Sequence, residues 1–109
     1  MGPEAKIEAY LKKRVLADGG RIRKLSWPGH RGAPDRMVWW PGEPDGSGLA
    51  VNMVFVEVKA PGKKATKQQE REHKKLRDDG FEVCVVSTRD EVDQLILDYT
   101  NYPWGRAKA

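Results

Sequence analysis

Cysteine, histidine and long apolar runs are scarce in this chain of 109 residues, which has one cysteine, Cys84, and two histidines. A single cysteine excludes an internal disulfide and a cysteine-rich zinc site, and its apolar neighbours predict a buried strand residue. No apolar stretch approaches the length of a membrane span, and no charged-then-apolar leader stands at the N-terminus. We therefore expect a soluble intracellular protein.

The length and charge of the chain limit its architecture and its partners. A chain of 109 residues can build one small domain around one core, and residues 100–109 are expected to form a tail. The net charge is +4, but residues 59–77 hold eight Lys and Arg residues and two acidic ones, a net charge of +6. Such clustering favours a polyanionic partner, because Lys and Arg release counterions from phosphates. A solvated helix face is the alternative.

The hydrophobic pattern predicts the element order αβββαβα. The apolar spacing of Ile7, Leu11 and Val15 indicates a first helix, and Thr66 with Gln69 has the spacing of a capping box. Residues 81–87 are almost all apolar, which predicts a strand that is buried on both faces and parallel to its neighbour. The predicted elements are helix 5–17, strand 20–25, strand 37–40, strand 53–59, helix 66–79, strand 81–87 and a last helix after Thr88.

A hairpin in the middle of the chain is expected to bring two carboxylates together. If residues 37–40 and 53–59 pair around their polar loop, Asp35 faces Glu57. Facing like charges destabilise a sheet, and a divalent cation between them is the simplest remedy. The alternation of side chains along a strand puts Lys59 on the face of Glu57. The alternative is an ordinary turn aspartate, a solvated glutamate and a strand-end lysine.

These residues carry a resemblance to a known family. Pro34-Asp35 followed by Glu57-Val58-Lys59 resembles the PD-(D/E)xK nuclease superfamily. The fuller wording, GAPDR at 32–36, FVEVKAPG at 55–62 and a later Gln69, is similar to the virus-type replication-repair nuclease (VRR-NUC) branch. The resemblance covers nearly the whole chain, and the order of the parts makes it specific. It implies an α/β fold with a restriction-endonuclease-like αβββαβ core, a mixed sheet flanked by helices, and a C-terminal helix.

The resemblance also implies roles for individual residues. Asp35, Glu57 and the backbone carbonyl of Val58 would hold Mg²⁺ or Mn²⁺, cations that prefer oxygen ligands. Lys59 would position the attacking water or stabilise negative charge on the phosphate. Two further polar side chains complete the expected catalytic set. They are Glu8, the best match to a first-helix glutamate that contacts metal or water, and Gln69, which commonly faces the active site in this branch.

Each of these two further assignments has an alternative. Glu4 lies one turn before Glu8 on the same helix face, where the helix dipole favours an acid in the first turn. Sequence alone does not decide which of the two faces the metal, although Glu8 is the better candidate. Gln69 has a capping role that its spacing predicts without any function.

Basic and aromatic side chains at two places are expected to bind nucleic acid. Lys24, Trp27 and Arg31 combine charge with aromatic surface before Asp35, as single-strand binders do, although they could equally be ordinary loop residues. The second place is the entry to the basic helix, with Lys63, Lys64 and Lys67.

The expected function is therefore a metal-dependent DNA endonuclease in the cytoplasm of a bacterium or a phage-infected host cell. Family resemblance suggests branched DNA such as four-way junctions or flaps, a role in DNA repair and a homodimer. One alternative is a non-catalytic nucleic-acid-binding module with the same fold. A restriction-type endonuclease with base-specific contacts is another, and it would need recognition elements beyond this short chain.

Overall fold

A computed structural model describes residues 1–42 and 52–100. The order αβββαβα is confirmed. The elements are α1 (Pro3–Ala17), β1 (Arg21–Lys24), β2 (Arg36–Trp40), β3 (Asn52–Val58), α2 (Lys67–Asp78), β4 (Val83–Val86) and α3 (Arg89–Thr100). Most of the polar loop between β2 and β3, and nearly all of the expected tail, lie outside the described residues.

The four strands form one mixed sheet in the order β1-β2-β3-β4. β2 pairs antiparallel with both β1 and β3, and β4 runs parallel to β3. Met37 lies opposite Phe55 and Arg36 opposite Val56, so the predicted hairpin register is confirmed. The next facing pair beyond this ladder is Asp35 and Glu57, which places both carboxylates at one end of the sheet.

The apolar core lies between one face of the sheet and helices α1 and α3. Strand side chains that alternate along β2 and β3, among them Val38, Val54 and Val56, point into it and are fully buried. The helices contribute the expected stripes, Ile7, Leu11 and Val15 from α1 and Val92, Leu95 and Ile96 from α3. The opposite face, which carries Glu57, is thereby left to the polar helix α2.

Gly20 lies in a tight place between the end of α1 and the sheet. A Cβ atom at Gly20 would lie 2.8 Å from Cγ1 of Val15 and 2.9 Å from the indole nitrogen of Trp40, which is fully buried. Any larger residue there would push the helix away from the sheet. The small residue therefore permits the close packing of the end of α1 against Trp40.

Helix α2 begins and ends where its sequence signals predict. The hydroxyl of Thr66 accepts a hydrogen bond from the amide of Gln69 at 3.1 Å, and the Gln69 side chain accepts one from the amide of Thr66 at 2.9 Å. This reciprocal pair is a capping box, and it satisfies two amides that the first turn leaves free. Gly80, with φ of +101°, ends the helix in the conformation that glycine favours.

The expected burial of strand 81–87 is wrong in part. The strand is parallel to β3, as predicted, but it is an edge strand. Phe81 precedes β4 and is 45% exposed, while Cys84 is half-buried. The physical reason is that β4 has a neighbouring strand on one side only, which leaves its other edge exposed. None of the helices in the described ranges is long and apolar enough to cross a membrane.

Candidate active site

The candidate site lies where β2 begins and β3 ends. Asp35 immediately precedes β2, and its carbonyl accepts a hydrogen bond from the amide of Leu25 at 2.8 Å, which extends the pairing with the β1 side. Glu57 is the penultimate residue of β3 and is 8% exposed. The Asp35 side chain remains 49% exposed. The pair therefore has one buried carboxylate and one that solvent and substrate can reach.

Burial raises the pKa of both carboxylates, and the charge of Asp35 adds to the effect on Glu57. Burial, and then the charge of Asp35, raise the pKa of Glu57 from its usual 4.5 to about 7. Burial also raises the pKa of Asp35, while its own backbone hydrogen bond and the charge of Lys24 oppose that rise. Two acids that share a partly desolvated place favour a bound cation between them.

The chemistry of these donors fits a hard divalent cation. Carboxylate oxygens are ligands that Mg²⁺ and Mn²⁺ accept, and Mg²⁺ commonly keeps several waters beside one or two carboxylates. In the described parts of the chain, no group of three or more His, Cys, Asp or Glu side chains is arranged to hold a metal. Asp35 and Glu57 would therefore supply two ligands, and the remaining positions would be open to a carbonyl, water and substrate oxygens.

Lys59 completes the cluster that the hairpin register predicts. It directly follows β3, and its amide donates a hydrogen bond to the carbonyl of Val86 at 2.9 Å, which ties the strand end to β4. The positive charge of Lys59 lowers the pKa of Glu57 and that of Asp35, opposing the effect of burial. The structure thus brings Asp35, Glu57 and Lys59 into one electrostatic neighbourhood.

Gln69 has both of the roles that its sequence position allows. Its side-chain oxygen closes the capping box, and its side-chain amide donates to Oε2 of Glu57 at 3.3 Å. One side chain therefore joins the start of α2 to the buried carboxylate. The capping bond orients the amide toward β3, so the two roles support each other.

Helix α1 presents its two glutamates to the site in different ways. Glu8 forms an ion pair with Arg36, and Arg36 in turn lies 3.0 Å from Oδ2 of Asp35. Glu8 thus reaches the site through Arg36. The charge of Glu4 raises the pKa of both Asp35 and Glu57, so Glu4 adds a third negative charge to their surroundings. The sequence favours Glu8 over Glu4 as a site residue, but in the structure it is the charge of Glu4 that raises the pKa of both carboxylates.

Arg36 and His73 are polar residues near the site to which sequence reasoning assigns no role. Arg36 follows the Pro-Asp pair directly, and its side chain is only 12% exposed. His73 lies one turn after Gln69 on α2 and is buried, and its Nε2 atom has no hydrogen-bond partner among the described residues. Burial, with the charges of Arg77 and Lys59, lowers the pKa of His73. Its position on the Gln69 stripe of α2 is the only signal that the sequence offers.

The loop before Asp35 is held in place by Trp27 and Gly32. The indole of Trp27 donates to the carbonyl of Pro34 at 2.7 Å, and its ring meets Phe55 edge-on with 5.5 Å between centroids. Gly32 has φ of +93°, and a Cβ atom there would lie 3.0 Å from the carbonyl oxygen of Gln68. Glycine is therefore required for this loop to pack against α2. The contacts give Trp27 a structural role, and base stacking by Trp27 stays a prediction.

The basic residues expected to bind nucleic acid are exposed. They are Lys24 and Arg31 ahead of β2, and Lys63, Lys64 and Lys67 at the entry to α2. The charge of Lys24 favours the ionised form of Asp35, because it lowers the pKa of that carboxyl. Lys63 and Lys64 line a groove of about 330 Å³ with Ser87 and Glu91.

The fold and the site together define a class of protein. A mixed sheet with one helix-covered apolar face, an aspartate before the second strand, and a glutamate and lysine at the end of the third strand are the features of a PD-(D/E)xK-type nuclease domain. The comparisons with known proteins then place the chain within that class.

Two known proteins are similar to this chain over most of its length. The chain is 41% identical over 87 residues to "Putative nuclease p44" of Acyrthosiphon pisum secondary endosymbiont phage 1, an alignment that covers 80% of this chain and 85% of that protein. A solved structure described as a VRR_NUC domain superposes with a TM-score of 0.75 at 39% identity, covering 91% of this chain and 99% of that one. No family profile matches the chain. The chain belongs to the VRR-NUC family of nucleases.

Proposed function

We propose that this protein is a Mg²⁺- or Mn²⁺-dependent DNA endonuclease that hydrolyses phosphodiester bonds. The observation that carries the proposal is the pairing of Asp35 with buried Glu57, whose pKa is raised to about 7, beside the cation of Lys59. Such a raised pKa in a carboxylate pair is a mark of functional sites. Membership of the VRR-NUC family supports the same conclusion.

Asp35, Glu57 and the backbone carbonyl of Val58 would hold the cation. When bound, it would lower the pKa of a water molecule and offset negative charge on the phosphate. Asp35 is the more exposed of the two carboxylates, and Glu57 is buried at the end of its strand. Glu4 or Glu8 could add an outer contact.

The other side chains of the site would orient these ligands and the substrate. Gln69 holds one oxygen of Glu57 through its amide, which limits rotation of that carboxylate. Lys59 would place its ammonium next to the scissile phosphate and stabilise the charge that develops on its oxygens. Both groups are fixed by regular elements, Gln69 by the capping box of α2 and Lys59 by its backbone bond to β4.

Branched DNA, such as a four-way junction or a flap, is the substrate that we propose, with a role in DNA repair. The two groups of exposed basic residues, ahead of β2 and at the entry to α2, would follow two separate phosphate backbones. A homodimer would provide two sites, which symmetric cleavage of a junction requires.

The first test removes the charge of each carboxylate without changing its size. Asp35→Asn and Glu57→Gln should each lower the cleavage rate by more than about 100-fold. Changing a residue that only holds a metal ligand in place costs up to about 100-fold, and the loss of a ligand itself should cost more. The rate is measured on a labelled four-way junction with Mn²⁺, and circular dichroism checks the fold. Asp18→Asn and Asp90→Asn, which alter exposed acids on other parts of the chain, serve as controls and should cut normally.

Unchanged turnover in either folded variant would contradict the mechanism. A wild-type protein that binds DNA but cuts no substrate with either metal would favour the binding-module alternative instead.

A further inference from the structure

Arg36 forms a bridge between α1 and the catalytic aspartate. Its Nη1 atom lies 3.0 Å from Oδ2 of Asp35 and donates to the Asp35 carbonyl at 3.0 Å, while Nη2 pairs with Glu8. The Arg36 side chain is 12% exposed, compared with 33% for Glu8 and 49% for Asp35. The guanidinium is therefore the most buried member of this three-residue chain.

A buried guanidinium needs acceptors that are fixed in space, and this one has them. Arginine presents its donors in a rigid planar fork, so contacts on two sides of the fork set the plane of the group. Glu8 is anchored by α1, whose neighbouring residues Ile7 and Leu11 are buried in the core. The orientation of that helix is thus transmitted through Arg36 to the carboxylate of Asp35.

The bridge leaves part of Asp35 available. Arg36 contacts Oδ2, so Oδ1 is the oxygen that a cation would meet first. A carboxylate whose second oxygen is held by a cationic donor has one preferred orientation, and partners of this kind tune metal ligands in other proteins.

We propose that Arg36 is a positioning residue that holds Asp35 ready to bind the catalytic cation, and that Glu8 acts through Arg36 and is not itself a metal ligand. This inference rests on the proposed metal-dependent function. It assigns α1 a specific task, which is to orient Asp35 from a distance. It also predicts that the effects of changing Glu8 and Arg36 are not independent, since the two residues act in series.

The test is a double-mutant cycle with Mn²⁺ alone as the probe. Titration calorimetry without DNA compares wild type, Glu8→Gln, Arg36→Lys and the double variant. The lysine keeps the charge but cannot span both carboxylates, so Arg36→Lys should weaken Mn²⁺ binding by roughly 10- to 100-fold. Glu8→Gln should weaken Mn²⁺ binding to the same or a smaller extent. The double variant should bind Mn²⁺ no more weakly than Arg36→Lys.

The chain offers a matched control for this test. Arg14 on α1 pairs with Asp93 on α3, so it is another arginine-carboxylate contact of the same helix, but it lies away from the site. Arg14→Lys should leave Mn²⁺ binding and cleavage unchanged. Cleavage at saturating Mn²⁺ is a second readout, in which Arg36→Lys should remain slower than wild type because Asp35 is misaligned.

Each result decides between distinct conclusions. Wild-type Mn²⁺ affinity in both single variants would overturn the inference alone. An additive loss in the double variant would also overturn it, because Glu8 would then act independently of Arg36, as a ligand does. Wild-type protein that neither binds Mn²⁺ nor cuts DNA would overturn the proposed function and the inference together. If Arg36→Lys does not fold, Arg36→Gln, which also cannot span the two carboxylates, takes its place in the cycle.

Discussion

Glu57 is the residue whose ionisation links the site to the stability of the fold. Its pKa is raised from 4.5 to about 7 by burial and by Asp35, so between these values the folded chain binds a proton that the unfolded chain releases. Stability from this group is present at low pH and is lost as the pH rises through about 7. The folded protein is thus less stable when Glu57 is ionised and no cation is bound.

The corresponding prediction concerns thermal unfolding in EDTA. The unfolding midpoint of wild type should fall, relative to that of Glu57→Gln, as the pH is raised from about 5 to about 8, because the glutamine cannot ionise. The variant also serves as the reference for His73, whose pKa is lowered by burial and whose effect on stability has the opposite sign. Parallel curves for the two proteins would show that Glu57 ionises as it does in an unfolded chain.

At the scale of elements, α2 connects the candidate site with the lysines that are predicted to bind nucleic acid. Its start is fixed by the capping box of Thr66 and Gln69, and its inner residues face Glu57 and the loop that contains Gly32. Its outer surface and the preceding turn carry exposed lysines. Because Gln69 is both cap and site residue, the basic entry of α2 is held at a fixed position beside the carboxylates.

We expect that Lys63, Lys64 and Lys67 bind phosphates and take no part in the chemistry. Changing each of them singly to alanine should weaken DNA binding and lower the slope of log affinity against log salt by about 0.9 for each lost contact on duplex DNA. The slope is measured by fluorescence anisotropy over a range of salt concentrations. Lys13→Ala, which removes an exposed lysine of α1 that lines a different groove, is the control and should keep the slope. An unaltered slope in all three variants would mean that these lysines only face solvent.

At the scale of the whole molecule, the number of subunits would decide whether both strands of a substrate are cut symmetrically. Trp40 is fully buried in the monomer, which excludes it from a dimer interface, and the neighbouring Trp39 is half-buried. Tyr102 and Trp104 lie outside the described residues. Leu16 and Leu97, both 50% exposed, and Phe81 are further apolar side chains on the described surface. Such side chains favour burial against a partner when they form a continuous patch.

We predict a homodimer that cuts branched DNA in preference to linear duplex. One site cuts one strand, and a twofold axis would relate two sites on the arms of a junction. Light scattering measures the mass, and cleavage of a four-way junction is compared with that of a linear duplex of the same sequence, with Mg²⁺ or Mn²⁺ present. A strict monomer that cuts both substrates equally would contradict this prediction and would leave the assignment of Asp35 and Glu57 intact.

The sequence by itself determined the features that depend on short-range periodicity. The facing positions of Asp35 and Glu57 follow from one hairpin register, since a shift by one residue would turn the apolar side chains away from the core. The ends of α2 follow from capping chemistry within a few residues of Thr66 and Gly80. These local rules were sufficient to predict the sheet end at which the site lies.

Only the tertiary structure decided which helix residues lie near that site. Glu4 and Glu8 share one face of α1, so their spacing cannot tell how each acts on the carboxylates. The ion pair of Glu8 with Arg36, and the effect of Glu4 on the pKa of Asp35 and Glu57, depend on where α1 lies against the sheet. The edge position of β4 likewise follows from the order of the four strands in the sheet, which no single strand specifies. The physical reason is that contacts between distant segments depend on the relative placement of whole elements, which the periodicity of one segment does not contain.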